Sequence, residues 1–343
     1  MTPWNGWKKR VVALLVGGLA GWCGPVQAAC PPPAVPPTAD AVRQGLAQAR
    51  NHGFLWQIER DGRRSWLYGT VHVARQAWMY PGPAVLSALS RAQRLVVEVD
   101  MSDPATMAAL PRLAQLNGPN PLPAALEARL QRQEEAACVG GALRRWRPEM
   151  RVTTLSVMAL RDEGLDPAWG VDGFLTGLAH GLNLPVQALE TPEQQMDIIL
   201  QPDAAQAAEM VDTTLDELEN GQARATLRRL AQAWADGRLD ELETYPQWCQ
   251  CLNTAFDRTL MHRLLDKRNG PMADRIAELH RTAGPVFVAV GSLHMVGSQG
   301  LPALLAARGF TVERVSWPVA PQAASGAESA PEAAASGPQE TTR

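Results

Sequence analysis

Several signatures of common enzyme and binding classes are missing from this chain of 343 residues. No Gly-x-Ser-x-Gly, His-Glu-x-x-His or P-loop pattern occurs, which argues against α/β-hydrolase-type serine enzymes, zincin proteases and P-loop NTPases. The net charge is -3, whereas a nucleic-acid-binding protein would favour a basic face, so we expect no nucleic acid as a partner. What is present, 46% hydrophobic and 20% charged residues, is typical of a globular protein with a substantial core.

The first 29 residues have the layout of a secretory signal peptide. A basic end at residues 8–10 precedes an apolar stretch at residues 11–24, and Ala28 and Ala29 offer a small-residue cleavage point. The apolar stretch is short for a bilayer span and contains several glycines, which disfavours an uncleaved anchor. The sequence therefore predicts a periplasmic or secreted protein with no membrane span after signal cleavage.

Export changes how the cysteines are interpreted. The mature chain would keep four of the five, Cys30, Cys138, Cys249 and Cys251, and this even number predicts two disulfides in an oxidising compartment. A bond between Cys249 and Cys251 would be strained, so we expect each to pair with a distant cysteine. The Cys-x-x-Cys pairs of a structural zinc site are absent from the sequence. Cys30 also leaves a lipoprotein open, although Gln27 stands where such a signal has an aliphatic residue.

The remaining chain divides by composition. Residues 30–38 form a proline-rich linker, residues 39–318 the folded domain, and residues 319–343 a tail of small and polar residues. The tail cannot bury enough apolar surface to fold, which predicts disorder there. The sequence does not indicate an oligomeric state.

Short apolar runs alternate with helical stretches along the domain. This alternation predicts an α/β fold with a mixed central sheet and large helical insertions on one side. Thr191, followed by Pro192 and then Gln194, has the features of a helix start with a capping box. The predicted strands begin at Phe54, Ser65, Arg94, Leu184, Pro285 and Phe310.

Two of these strands end in the same short motif, a glycine followed three residues later by a histidine. Gly69 and His72 follow the second run, and Gly291 and His294 follow the fifth. Ligands of open α/β sheets bind at the carboxyl ends of the strands, and glycine permits a close backbone approach. Either histidine alone would be interpreted as a core residue, but the matching context favours a shared site. The other histidines are interpreted as structural or solvated: His52, His180, His262 and His280.

Three charged residues are candidates for the same site. Glu98 follows a run of valines, where a buried carboxylate is costly unless it is paired or bound to a cation. Glu190 ends the fourth run, although interaction with the dipole of the helix starting at Thr191 would also explain it. Arg268 and Asn269 precede a predicted helix. Asn269 is interpreted as a cap, whereas Arg268 could pair with a site carboxylate or hold a substrate carbonyl.

Two histidines and a carboxylate are sufficient to bind a divalent metal with open positions. Such a metal lowers the pKa of bound water and polarises a carbonyl, which supports hydrolysis without a side-chain nucleophile. We therefore predict that His72, His294 and Glu98 bind zinc, manganese or cobalt, with Glu98 alternatively acting as the base. Glu190 and Arg268 would help to orient the substrate.

Six segments of the chain carry a recognisable family pattern: LYGTVHV, LVVEVD, ALETPEQQ, WCQCLNT, RNGPMADRI and VFVAVGSLHMVGSQGLPALLAARGFTVERV. Together they resemble the TraB/GumN family, which is related to the Tiki metalloproteases. The resemblance extends from about residue 54 to residue 315. In the Tiki-like proteins two Gly-x-x-His motifs and a glutamate are implicated in metal-dependent proteolysis. The resemblance places those roles on His72, His294 and Glu98, and it implies a peptide or protein substrate.

Two functions of different classes follow. The first is an exported metal-dependent hydrolase, specifically a peptidase. The second is a non-catalytic exported binding protein that uses the same cleft for a peptide, haem or a polysaccharide. A metal-free hydrolase with histidine as its base lies between them. Glu98 favours catalysis, because binding alone gives no reason to bury a carboxylate beside two histidines.

Overall fold

A computed structural model describes residues 30–317 of the chain. The predicted signal peptide at residues 1–29 and the predicted tail at residues 319–343 lie outside the described residues, and the predicted linker at residues 30–38 contains no helix or strand. None of the helices in the described range is long and apolar enough to cross a membrane.

The strands within residues 30–317 form one mixed sheet. They are β1 (Phe54–Arg60), β2 (Arg63–Thr70), β3 (Arg94–Val97), β4 (Val186–Ala188), β5 (Val286–Gly291) and β6 (Thr311–Val315). Their order across the sheet is β4-β3-β5-β2-β1-β6. Neighbours from β4 to β2 are parallel, whereas β1 is antiparallel to both β2 and β6. Each predicted run contains a strand, and the predicted α/β class with a mixed sheet is confirmed.

Helices cover the sheet and fill the long connections between its strands. They are α1 (Ala39–Gln48), α2 (Pro83–Leu89), α3 (Pro104–Ala114), α4 (Ala124–Ala136), α5 (Pro148–Met158), α6 (Val171–Gly181), α7 (Pro192–Ile199), α8 (Ala204–Glu219), α9 (Gln222–Ala235), α10 (Leu239–Glu243), α11 (Tyr245–Trp248), α12 (Ala255–Leu264), α13 (Asp266–Thr282) and α14 (Leu301–Ala307). The predicted helix start at Thr191 is confirmed, because Thr191 and Gln194 form a reciprocal capping box at the start of α7.

The central strand β5 determines where the site lies. All of Val286 to Val290 is buried, as expected for a parallel strand covered on both faces. Gly69 of β2 pairs with Val290, and Thr70 pairs with Gly291. On the other side of β5, Val97 of β3 pairs with Ala289. The carboxyl ends of β2, β5 and β3 therefore lie side by side at one edge of the sheet.

The two long insertions pack against each other. The first comprises α3 to α6, and the second comprises α7 to α13. Helices α4 and α5 contact α8, and a hydrophobic cluster separate from that of the sheet forms between them around Leu130, Val152 and Val211. Arg151 is buried beside this cluster and donates to the carboxylates of Glu127 and Glu134. Because the buried guanidinium has two acidic partners, it ties α4 to α5.

The structure has two disulfides, Cys30–Cys138 and Cys249–Cys251. The prediction that Cys249 and Cys251 each pair with a distant cysteine is therefore wrong. Gln250 between them has a φ of 55°, in the left-handed region, and the resulting turn brings their Cα atoms to 5.1 Å. That separation is within the usual range for a disulfide, so neighbours two positions apart can pair here.

Candidate active site

Residues from five separate parts of the chain meet at the carboxyl edge of the sheet. His72, Glu98, Arg268 and His294 line one cleft of about 320 Å³, and Glu190 contacts Arg268 behind it. These are the five site residues that the sequence predicts. The loop after β2 supplies His72, and the end of β3 supplies Glu98. The turn after β5 supplies His294, whereas Glu190 precedes α7 and Arg268 lies on α13.

His72 is oriented by a carboxylate from α6. Its Nδ1 lies 2.8 Å from Oδ2 of Asp172, and the Thr70 hydroxyl donates to the other carboxylate oxygen. The start of α6 is held against this loop by a hydrogen bond from Val171 N to Val71 O, 3.0 Å long. The negative charge of Asp172 raises the pKa of His72 to about 9, although 62% of the His72 side chain is exposed. With Nδ1 engaged by Asp172, Nε2 is the nitrogen left for the cleft.

His294 is oriented by an amide from α13. It lies in the short 3-10 turn Ser292–Met295 and is buried, and its Nδ1 is 2.5 Å from Oδ1 of Asn269. Asn269 Nδ2 donates to Gln299 O at 2.7 Å, so the amide oxygen faces the ring and Nδ1 carries the proton. Desolvation lowers the pKa of His294 to about 4. The ring is therefore neutral near pH 7, with the Nε2 lone pair facing Arg268 at 3.1 Å.

Glu98 is buried and ionised. Its Oε1 accepts the backbone N–H of Gly291 at 2.8 Å, and its Oε2 accepts from Arg268. Burial opposes ionisation, but His294, His72 and Arg268 outweigh it and lower the pKa of Glu98 to about 2. The carboxylate is therefore negative across the physiological pH range, as a cation ligand or an electrostatic anchor must be.

The groups that converge on the cleft surround the Cα of Gly291. A Cβ atom at this position would lie 3.2 Å from Glu98 Oε1 and 3.7 Å from both His72 Nε2 and His294 Cδ2. Because Gly291 has no side chain, the Glu98 carboxylate and both imidazole rings can lie close to the same point. This close approach is the physical reason for glycine at the end of β5.

Arg268 joins the two acidic residues of the site. Its Nε donates to Glu190 Oε1 at 2.9 Å, and its Nη2 donates to both Glu190 Oε2 and Glu98 Oε2. The side-chain amide of Gln195 also donates to both carboxylates, at 3.2 and 3.3 Å. The side chains of the arginine and the two glutamates are about nine-tenths buried. Glu190 thus holds Arg268 in place, in addition to preceding the capped start of α7.

The prediction that Arg268 and Asn269 precede a helix is wrong. Both lie inside α13, which begins at Asp266 and continues through Pro271. Asn269 is not the cap, because Leu265 precedes the first helical residue and the Asn269 side chain instead binds His294 and Gln299. Helical geometry places Arg268 and Asn269 on adjacent positions that each contact the His294 ring.

The donor set fits a divalent metal in its chemistry. Two imidazoles have their Nδ1 atoms engaged and their Nε2 atoms directed to the cleft, beside an ionised carboxylate, as metal ligands with outer partners do. Among residues 30–317, however, no three His, Cys, Asp or Glu side chains stand in a preassembled metal arrangement. The guanidinium of Arg268 lies against two of the proposed ligand atoms, His294 Nε2 and Glu98 Oε2.

Sequence reasoning missed the residues that orient the imidazoles. Asp172 stands in the first turn of α6, where an acidic residue is common for dipole reasons alone, so no local signal distinguishes it. Asn269 and Gln195 are equally ordinary helix residues. Each of the other four histidines contacts a partner that does not line the cleft: His52 with Ala235, His180 with Ser102, His262 with Asp266, and His280 with Ser65.

The chain is similar to one known protein family and to proteins from three organisms. The model of the TraB/PrgY/gumN family matches residues 54–314. The uncharacterized protein YbaP of Shigella flexneri and that of Escherichia coli K12 are each 28% identical over 280 residues, covering 77% of this chain and 97% of theirs. The metalloprotease TIKI1 of Danio rerio is 24% identical over 333 residues, covering 81% of this chain and 66% of its own. No solved structure matches.

Proposed function

Since the chain belongs to the TraB/PrgY/gumN family, we propose that it is an exported, metal-dependent peptidase. The observation that carries the proposal is the convergence of His72, His294 and Glu98 around Gly291, with the Nδ1 atom of each imidazole engaged. The similarity to a protein named as a metalloprotease supports the choice of reaction.

The proposed roles follow from the contacts. His72 Nε2, His294 Nε2 and Glu98 would hold zinc, manganese or cobalt, which when bound supplies a water of lowered pKa and polarises the substrate carbonyl. Metal binding requires Arg268 to give up its contact with His294 Nε2, and the pairing with Glu190 keeps the guanidinium at the site. Arg268 then donates to the carbonyl oxygen of the substrate, where negative charge develops. Asp172 and Asn269 keep the two Nδ1 protons in place.

Metal binding and peptide hydrolysis test the proposal together. Metal-free protein is titrated with zinc, manganese and cobalt, and hydrolysis of a proteome-derived peptide library is followed by mass spectrometry. The double variant His72→Ala, His294→Ala should lose both activities and keep its circular dichroism spectrum. His262→Ala is the matched control, because this histidine is exposed and pairs with Asp266. Metal binding by the double variant at wild-type affinity, or hydrolysis that survives chelation, would contradict the proposal.

One observation favours the alternative of a non-catalytic binding protein. Arg268 already pairs with Glu98, so this carboxylate has a counter-charge without an ion. A binding protein of this kind would hold a peptide, haem or polysaccharide with equal affinity before and after chelation, and it would cleave no peptide. Hydrolysis of the peptide library by the metal-loaded protein decides between the two functions.

Export is a proposal of its own, motivated by the signal-peptide layout of residues 1–29 and supported by the two disulfides. Cell fractionation and N-terminal sequencing should find a periplasmic or secreted chain that begins near Ala29 or Cys30. Four free thiols in the mature protein would contradict it.

A further inference from the structure

The cleft has a polar end and an apolar wall. The polar end consists of the candidate catalytic residues at the edge of the sheet. The apolar wall comes from α9, from α12 and its following residue, and from the turn after β5. It is formed by apolar side chains, all of them half-buried: Leu227, Leu230, Met261, Leu264, Leu265 and Leu293.

Helix α12 and the residue after it supply the part of this wall that the core leaves uncovered. None of the residues of α12 is buried, although the helix carries Met261 and Leu264. Met261, Leu264 and Leu265 belong to none of the hydrophobic clusters formed by the described residues. Their apolar surface therefore faces the cleft and is available to a ligand.

Within residues 30–317, the side chains of the apolar wall include no charged partner for a ligand group. The ionisable side chains that line the cleft, apart from Tyr245, are the four of the polar end. Burial and the nearby Glu217 raise the pKa of Tyr245 to about 12, so its hydroxyl stays neutral. A charged side chain that entered here would lose its hydration without gaining a counter-charge, whereas an apolar one would gain burial.

We propose that this wall is the subsite for a large apolar side chain, such as leucine, methionine or phenylalanine, on a residue next to the cleaved bond. The proposal rests on the proposed peptidase function, because it takes the polar end as the reacting end. A volume of about 320 Å³ lies at the lower limit of ligand pockets, roughly 300–1,000 Å³. The cleft therefore accepts one side chain and the adjoining backbone of an extended segment, and it is too small for a folded domain.

The test separates binding from cleavage. Blocked pentapeptides of the form Gly-Gly-X-Gly-Gly, with X as leucine or aspartate, are titrated into the metal-free protein by calorimetry. We expect the leucine peptide to bind at least about 10-fold more tightly, the scale on which apolar pockets discriminate side chains. Leu264→Ala should reduce that ratio at least about threefold. Leu260→Ala is the matched control, since Leu260 lies on the same helix, is also half-buried and does not line the cleft.

The outcomes distinguish this inference from the function on which it rests. Equal binding of the two peptides, or equal ratios in the Leu264 and Leu260 variants, would overturn the subsite. Peptide-library cleavage with no apolar preference beside the cut bond would also overturn it and leave the peptidase standing. If the leucine peptide binds tightly but no metal-loaded form cleaves it, the proposed peptidase function is refuted. The apolar wall would then remain a binding site for an apolar peptide side chain.

Discussion

The side-chain oxygen of Asn269 on α13 lies 2.5 Å from Nδ1 of His294, which follows β5. Because the same amide donates to Gln299 O, its orientation and the position of the histidine proton are both determined. We predict that Asn269→Ala weakens metal binding about 10- to 100-fold, the usual effect of losing such a partner. Calorimetric metal titration measures it, with Asn253→Ala, an exposed residue away from the cleft, as the control. Unchanged affinity in the Asn269 variant would show that the contact does not orient the ring.

Asp172 should control the titration of His72. Its charge raises the pKa of His72 to about 9, so the pair stabilises the fold fully below about pH 6.5 and loses that contribution as the pH rises through 9. Asp172→Asn should therefore bring the pKa of His72 down and lower stability below pH 6.5, with little difference above pH 9. Proton NMR of the metal-free protein follows the ring. Asp266→Asn, which removes the partner of His262, should leave the His72 titration unchanged.

Removing Arg268 should be costly, since two buried carboxylates lose their cation. Arg268→Ala is expected to reduce the free energy of unfolding by about 3–5 kcal/mol at pH 7. Urea unfolding measures this, and the loss should shrink at acidic pH, where protonation of Glu98 in the variant removes its unpaired charge. Arg275→Ala is the control, because its pair with Glu278 is exposed and should contribute less than about 1 kcal/mol. If Arg268→Ala reduces the free energy of unfolding no more than Arg275→Ala does, the buried ion pairs of Arg268 do not stabilise the fold as proposed.

A methyl group at Gly291 should disturb the site directly. Gly291→Ala would place Cβ 3.2 Å from Glu98 Oε1, so the carboxylate must shift, at a cost of about 1–3 kcal/mol and with weaker metal binding. Gly177→Ala on α6 is the matched control, because a Cβ there meets no atom within 4 Å. That substitution should raise stability by up to about 1 kcal/mol through helix propensity. Thermal unfolding and metal titration compare the two variants. Equal stability and equal metal affinity of the two variants would refute the steric argument.

The two disulfides should differ in their contribution to stability. Cys30–Cys138 closes a loop with a sequence separation of 108, whereas Cys249 and Cys251 are separated by only 2. The loss of loop-closure entropy predicts about 4.7 kcal/mol for the long loop and about 1.5 kcal/mol for the short one. Alanine at both positions of each bond, followed by urea unfolding under oxidising conditions, compares them. A larger loss from the Cys249–Cys251 pair would show that this bond acts through the folded state.

The sequence alone determined the features that depend on short-range pattern. Apolar runs predicted all six strands of the described sheet, and Thr191 with Gln194 predicted the capping box of α7. The position of Gly69 and Gly291 at the ends of strands predicted that two histidines share one edge. Burial, glycine placement and capping leave a local signal, because each is imposed on a few consecutive residues.

Only the tertiary structure decided which distant side chains complete the site. The partner of His72 lies 100 residues away and that of His294 lies 25 residues away. Both contacts depend on how α6 and α13 pack against the sheet, and neither Asp172 nor Asn269 differs from an ordinary helix residue in sequence. The same holds for Arg268, which lies inside α13 and not before a helix as the sequence predicts, and for the pairing of Cys249 with Cys251. Tertiary packing brings these groups together. The sequence periodicity that predicts helices and strands does not indicate which distant side chains will contact each other.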